Sequence, residues 1–301
     1  MKILITGGAG FIGSHTAREL LATGHTISIF DSFVSSSRDT VVEGVQTIEG
    51  DIRDKDSVQK AMAGIEGVVH LAALVSVPLS IKDPELTQAV NVEGTKNIID
   101  AARENGVQRI VYASSAAVYG NDPSVPKRED SPIQPESPYA SSKVENERLA
   151  NSAGLSAMGL RFFNVYGPGQ TGSHPYASVI PRWMEALTAG KPITLYGDGT
   201  QTRDFVHVRD VALALRLALT SPTEGVANVA SGEERTLISV IHILESALGH
   251  SIEVDTLPSR AGDILRSFAD TSHARETIGF TATTSFKDGL TELAKEYGLL
   301  N

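Results

Sequence analysis

Met1–Gly13, MKILITGGAGFIG, decides how the rest of the chain is read. Lys2–Thr6 is a short apolar run of β type, and Ser14–Leu21 reads as helix. Between them Gly7, Gly10 and Gly13 give a G-x-x-G-x-x-G spacing rather than G-x-G-x-x-G. A glycine motif alone marks no more than a turn. Flanked by a strand and a helix, it is the entrance of a dinucleotide-binding unit. Gly7 permits the tight turn, Gly10 lets backbone N–H groups approach a pyrophosphate, and Gly13 lets the helix pack against the strand. The positive end of the helix then faces the phosphates.

Outward from this entrance, strand-like runs alternate with helical patterns. Strands are expected at Lys2–Thr6, Thr26–Phe30, Val45–Glu49, Gly67–His70, Arg109–Ala113 and Ala157–Phe162, and helices at Phe11–Thr23, Lys55–Ala63, Pro84–Asn105 and Pro138–Asn151. The alternation implies an α/β fold, a Rossmann-type doubly wound parallel sheet over residues 1–165 with ligands at the carboxyl ends of the strands. After Asn164 comes a turn-rich stretch (Gly167, Pro168, Gly169, Gly172, Pro175). Helical runs at Ala177–Ala189, Asp210–Thr220 and Leu237–Leu248 then mix with short strands at Ile193–Tyr196, Phe205–His207 and Val226–Val229. Residues 166–301 are expected to form a smaller C-terminal substrate-binding lobe, with some chain crossing between the two parts. Pro123–Pro138, rich in proline and charge, is a long connection of the kind that carries function in compact enzymes.

The chain has 301 residues, 36 acidic and 26 basic, for a net charge of −10, and no cysteine. Disulfides, thiolate metal sites and thiol nucleophiles are excluded. The acidic balance argues against a nucleic-acid or anionic-membrane partner, while leaving room for a local basic pocket. No apolar run approaches the roughly 20 residues of a membrane helix. A strand beginning at Lys2 leaves no room for a signal peptide, so a cytoplasmic location is expected.

Asp31 follows the second strand, where a carboxylate accepts hydrogen bonds from adenosine ribose hydroxyls and repels a 2′-phosphate, favouring NAD over NADP; the plainer reading is a strand-end cap. Asp51-Ile52 follows the third strand, where either group can meet the adenine edge. His70-Leu71-Ala72-Ala73 ends the fourth with small residues where backbone must lie close to a cofactor; His70 itself reads as a packed strand-end histidine rather than a catalyst. Tyr139 and Lys143 lie four apart at the start of a helix and share a face. A phenol is a poor base at neutral pH, and a nearby ammonium is expected to lower its pKa, as is a nicotinamide's positive charge. The pair then forms a general base for a substrate hydroxyl. Ser114 and Ser115, in YASSAAVYG just after the fifth strand, offer a hydroxyl for the same oxygen, Ser115 the better placed; otherwise they are turn-forming serines.

TGGAGFIGSH, Asp31, GDIRD, HLAA, NVEGT, SSAAVYG, Tyr139-x-x-x-Lys143, RFFNVYGPG and RDFVHVRDVA together resemble the extended short-chain dehydrogenase/reductase family of NAD-dependent epimerases and dehydratases, and within it the UDP-glucose (UDP-galactose) 4-epimerases, from Met1 to about Asp270. The resemblance implies that Phe11 and Ile12 approach the pyrophosphate. Asp31, Ser32, Phe33, Ser35 and Ser36, with Asp51 and Ile52, hold the adenosine. Leu71, Ala72, Ala73 and Asn91 line the cofactor channel, with Ser114 beside them and Phe163 near the nicotinamide. Ser115, Tyr139 and Lys143 are the catalytic triad, and Lys143 also grips the nicotinamide ribose. Asn164 binds a diphosphate, Thr194, Leu195 and Tyr196 lie by the uracil, and Ser178 and Val179 also meet the substrate. Arg203, Arg260 and Asp263 serve the diphosphate and nucleotide ribose. Arginines there suit a dianionic ligand of an acidic protein, although Arg203 beside Asp204 also reads as a surface ion pair.

The implied activity is that of an isomerase: oxidation at carbon 4 of a UDP-sugar, rotation of the 4-keto sugar, and return of hydride to the other face. Nucleotide-sugar 4,6-dehydratases of the family carry Asp-Glu where this chain has Ala116-Ala117, and UDP-glucuronate decarboxylases carry Glu at the second position; two alanines cannot move protons. Ser267, seven residues after Arg260, stands where a bulky residue restricts the sugar pocket, so the UDP-GlcNAc/UDP-GalNAc pair is expected as a further substrate. The alternatives are a UDP-uronic acid or dTDP-sugar 4-epimerase, and a non-catalytic NAD-binding regulator, which would be expected to lose the Tyr/Lys pair. A homodimer through a four-helix interface of Pro84–Asn105 and Pro138–Asn151 is expected by family habit. Leu86, Val90, Ile98 and Ile99 on the first helix are compatible with burial on two sides.

Overall fold

The computed structural model describes residues 1–172, 178–259 and 264–300. In chain order its strands are β1 (Lys2–Thr6), β2 (Thr26–Asp31), β3 (Gln46–Glu49), β4 (Gly67–His70), β5 (Arg109–Ser115), β6 (Ala157–Phe162), β7 (Asn164–Tyr166), β8 (Ile193–Tyr196), β9 (Thr202–Arg203), β10 (Phe205–His207), β11 (Gly225–Val229), β12 (Arg235–Thr236) and β13 (Val254–Leu257). The α-helices are α1 (Phe11–Ala22), α2 (Lys55–Ala61), α3 (Val77–Lys82), α4 (Pro84–Thr87), α5 (Gly94–Glu104), α6 (Pro138–Ser152), α7 (Val179–Thr188), α8 (Val208–Thr220), α9 (Leu237–Leu248), α10 (Ser272–Ile278) and α11 (Phe286–Glu296).

Seven strands form one sheet in the order β3-β2-β1-β4-β5-β6-β11, every neighbouring pair parallel. Side chains alternate across a strand, and the two faces divide accordingly. Ile3, Ile5, Ile27, Ile29, Val69 and Val111 pack with Leu20 of α1 and with Val211, Leu215 and Leu219 of α8. Leu4, Phe30, Val68, Ile110 and Tyr112 pack with Val58 of α2, Ile98 and Ala102 of α5 and Ala150 of α6. A third cluster forms around Trp183, Met184, Ile193, Phe205, Leu244, Phe286 and Leu290. The chain also returns to the sheet: β11 pairs with β6, and Ala274 and Ile278 of α10 join the first face.

Two differences from the sequence expectation matter for the site. Pro84–Asn105 is interrupted: α4 is followed by a π-helical segment, Gln88–Glu93, before α5 resumes. Such a segment turns a side chain inward. Here it is Asn91, fully buried, whose Oδ1 accepts from Leu74 N (2.7 Å) and whose Nδ2 donates to Leu74 O (3.0 Å) and Ser142 Oγ (3.0 Å). It thereby ties the chain leaving β4 to α6. β5 runs two residues further than expected, to Ser115, so both serines belong to the strand. Ser114 is then the register partner of Arg161, and Ser115 of Phe162. The patterns also give no element for α3, α10 or α11, which are short or lie in the irregular C-terminal half.

The long Pro123–Pro138 connection is anchored. Lys127 N donates to Phe268 O (2.8 Å), Asp270 N donates to Lys127 O (2.9 Å), and Gln134 N donates to Val118 O (2.9 Å). The Lys127 ammonium is buried on Asp122, at 2.6 Å from its carbonyl and 3.0 Å from its carboxylate. The strap fixes the segment that follows Ser267.

Candidate active site

The glycine turn is built from backbone. Gly7 has φ +70, and a Cβ on it would stand 2.7 Å from Ala72 N. A Cβ on Gly13 would stand 2.2 Å from Gly7 O, and one on Gly8 would strike Ile29 at 2.6 Å. These contacts bring β1, α1 and the end of β4 together. Gly10 is the N-cap of α1; it supplies no side-chain cap, and the first turn carries no acid. By contrast, α2, α6, α9 and α11 are capped by Asp54, Ser137, Thr236 and Ser285. The first N–H groups of α1 are thus left for an anion, which fits a pyrophosphate.

Asp31 is buried and organises the next turn. Its Oδ2 accepts from Ala9 N (3.0 Å), and its Oδ1 accepts from Phe33 N (3.0 Å) and Ser36 Oγ (2.8 Å). A carboxylate has about four acceptor positions, so Oδ2 retains one for a hydroxyl. Ser32 and Ser35 are exposed on the same turn, and Phe33 lies under the Arg38 guanidinium, 4.4 Å from its ring centre. Asp51 is gripped by Arg53 through both oxygens, which holds its carboxyl below the ordinary value. Ile52 beside it is buried. Leu71, Ala72 and Ala73 follow β4, half-buried. His70 is a packed residue as expected: Nδ1 meets Thr6 Oγ1 (2.6 Å) and Nε2 meets Thr95 Oγ1 (2.9 Å). Burial, and then the Lys143 cation, push its pKa down to about 3, so it is neutral.

Tyr139 and Lys143 stand at the start of α6, with the Lys143 ammonium 5.8 Å from the Tyr139 ring centre. The expected net lowering of the phenol does not appear in this structure, because burial outweighs it. Burial raises the Tyr139 pKa above its ordinary value, and the group that opposes this is the Ser115 hydroxyl. Lys143 instead donates to Ala113 O (2.9 Å), and burial lowers its own pKa to about 8, opposed by Glu147. Ser115 Oγ accepts from Ala117 N (3.1 Å), which frees its proton to point at Tyr139. Ala116 and Ala117 start the 3₁₀ turn that follows and bring no acid to the pair. Ser114 departs from its expected place in the cofactor site: it is buried and its hydroxyl donates to Glu147 Oε1 (2.5 Å).

Asn164 lies two residues beyond Phe162, the register partner of Ser115, and opens a cavity of about 470 Å³. Ser178, Val179, Thr194, Leu195, Tyr196 and Arg203 all line it. Phe163, one residue earlier, is buried against Tyr119 and stays off that wall. The sequence reading missed Arg182, Trp183, Ala186, Lys191, Pro192, Gln201 and Leu237, which also line it. Arg182 follows Ser178 by one helical turn, the signal that placed it in reach. Trp183 Nε1 donates to Thr194 O (2.8 Å) and sets α7 against β8. The described lining carries three cations, Arg182, Lys191 and Arg203, and no carboxylate. Ser267 is half-buried just past the segment that Arg203 holds through Ile264 O (2.6 Å). Arg260 and Asp263 lie outside the described residues. Among the described residues no cluster could hold a metal ion, and no helix is long and apolar enough to cross a membrane.

Residues 3–230 match the model of the NAD-dependent epimerase/dehydratase family. The chain is 36% identical to a UDP-glucose 4-epimerase of Mycolicibacterium smegmatis, over 96% of each chain. Among solved structures, the UDP-glucose 4-epimerase of Thermus thermophilus in complex with NAD superposes with a TM-score of 0.91 at 38% identity, covering 99% of both chains. The UDP-N-acetylglucosamine 4-epimerase of Methanobrevibacter ruminantium, in complex with UDP-N-acetylmuramic acid, gives 0.94 at 35%, covering 98% of this chain and 97% of the other.

Proposed function

Because the chain belongs to the NAD-dependent epimerase/dehydratase family, we propose that it is an isomerase interconverting UDP-glucose and UDP-galactose at carbon 4. The observation that carries the reading is the Ser115–Tyr139–Lys143 group beside a cation-lined cavity, with Ala116-Ala117 where a dehydratase needs acids.

NAD, when bound, would supply the hydride acceptor and donor. The uncapped turn of α1 would hold its pyrophosphate, Asp31 its adenosine ribose, and Lys143 its nicotinamide ribose. Tyr139 takes the proton of the sugar 4-hydroxyl and later returns it, and Ser115 holds the same oxygen in line. Burial disfavours the Tyr139 phenolate, so the ionised form depends on positive charge at the site. The Lys143 ammonium supplies part, and the oxidised nicotinamide ring is the second source. Arg182, Lys191 and Arg203 meet the diphosphate side of the substrate. Ser267 leaves room for an N-acetyl group, so UDP-GlcNAc and UDP-GalNAc belong to the same reading.

The NAD-loaded protein is expected to interconvert UDP-glucose and UDP-galactose without added reductant, with products identified by NMR. Tyr139→Phe should lower turnover by about 10³-fold while retaining NAD, a typical loss for a general base. NAD retention without turnover of any UDP-sugar by the wild type would favour the regulator instead.

A cytoplasmic homodimer completes the proposal. Ile98 and Ile99 are used within the subunit, buried in its core. What faces outward instead is Val75, Val77 and Ile81, beside or within α3, which packs on α6. Sedimentation at twice 32.0 kDa supports the dimer; a single-subunit mass at micromolar concentration refutes it.

A further inference from the structure

Tyr139, Lys143 and Glu147 lie four residues apart along α6, so at 100° per residue each falls close to the same helix face. Glu147 is only 13% exposed. Its Oε1 accepts from Ser114 Oγ (2.5 Å) and Arg161 Nε (2.9 Å), and its Oε2 accepts from Arg161 Nη2 (2.8 Å). The sheet dictates this grip: Ser114 and Arg161 are register partners on β5 and β6, and directly opposed side chains share a face.

Arg161 continues inward. Its Nη1 donates to Tyr119 Oη (2.9 Å) and Glu129 O (3.0 Å), Tyr119 Oη donates to Asn228 Oδ1 (2.6 Å), and Asn228 Nδ2 donates to Lys127 O (3.0 Å). The ion pair is therefore an oriented dipole: the carboxylate stands toward α6 and β5, and the guanidinium points away toward Tyr119.

We propose that Glu147 is a positioning residue of the proton-transfer site, acting on the Lys143 ammonium from one helical turn behind it while Arg161 and Ser114 hold its carboxylate in place. The proposal rests on the reading of Tyr139 and Lys143 as the proton-transfer pair. Lys143 is buried, and its one hydrogen-bond acceptor among the described residues is the Ala113 carbonyl. Among the described residues, Tyr139 on α6 and His70 on β4 also face it, and His70 is neutral. Glu147 is the group that supports the cation against burial. Without it Lys143 loses its proton closer to neutral pH, and the phenolate of Tyr139 loses a stabilising charge.

The test uses NAD-loaded protein with ¹³C-labelled lysine and follows the Lys143 Cε signal, assigned by its loss in Lys143→Met. Glu147→Gln should lower the midpoint by about one pH unit and bring the alkaline limb of kcat down equally, with KM changed less than twofold. An unmoved midpoint overturns the proposal, whatever happens to kcat, because a packing role would lower activity evenly across pH. Should the single variant fail to fold, the pair Glu147→Met with Arg161→Met removes both charges together, an exchange buried pairs tolerate, and the same fall is expected. The NMR reading needs no sugar nucleotide, so it stands or falls separately from the substrate assignment.

Discussion

The glycine turn and the cavity behind Asn164 solve two recognition problems with different materials. The turn uses backbone from one contiguous stretch, and its geometry admits no side chain at Gly7 or Gly13. The cavity uses side chains drawn from residues 164 to 237, held together by contacts such as Trp183 on Thr194. Backbone recognition suits a cofactor retained through every turnover. Side-chain recognition can be retuned one residue at a time without disturbing the sheet. The first region should therefore fail as a unit, and the second should fail by degrees.

Gly13→Val breaks the comparison hardest. Its Cβ would meet Gly7 O at 2.2 Å, so a loss of about 3 kcal/mol of stability is expected, together with loss of bound NAD. Thermal unfolding and the absorbance of released cofactor measure both; full NAD occupancy in a stable variant would show that the turn does not need the contact. Arg182→Ala should raise KM for UDP-glucose about tenfold, the equivalent of about 1.4 kcal/mol, and leave Tm and NAD content unchanged. A change in NAD content would mean that the two regions are not separable. Ser267→Tyr should reduce kcat/KM for UDP-GlcNAc by about tenfold, within the range for small changes of pocket volume, and spare UDP-glucose. Equal loss on both substrates would remove Ser267 from the sugar pocket.

The same contrast explains what the sequence disclosed. Lys2–Thr6, Gly67–His70 and Ala157–Phe162 end where the apolar runs end, because buried parallel strands carry an uninterrupted apolar signature. The spacing of Tyr139 and Lys143 is local to one helix and was readable for that reason. Tertiary effects were not readable. The direction of the Tyr139 shift depends on burial that no spacing reveals. The inward turn of Ser114 depends on a register with Arg161, 47 positions away in the chain. The π-helical segment at Gln88–Glu93 depends on where Asn91 must reach. Arg182 and Lys191 belong to the cavity only because α7 and β8 pack around Trp183.

The central claim is that hydride leaves carbon 4 and comes back to it within one site. UDP-glucose deuterated at carbon 4, incubated with the NAD-loaded protein in ordinary water, tests it most directly. The account predicts UDP-galactose that retains deuterium at carbon 4. Protium from solvent at that carbon, or a dehydrated product in place of UDP-galactose, would contradict it.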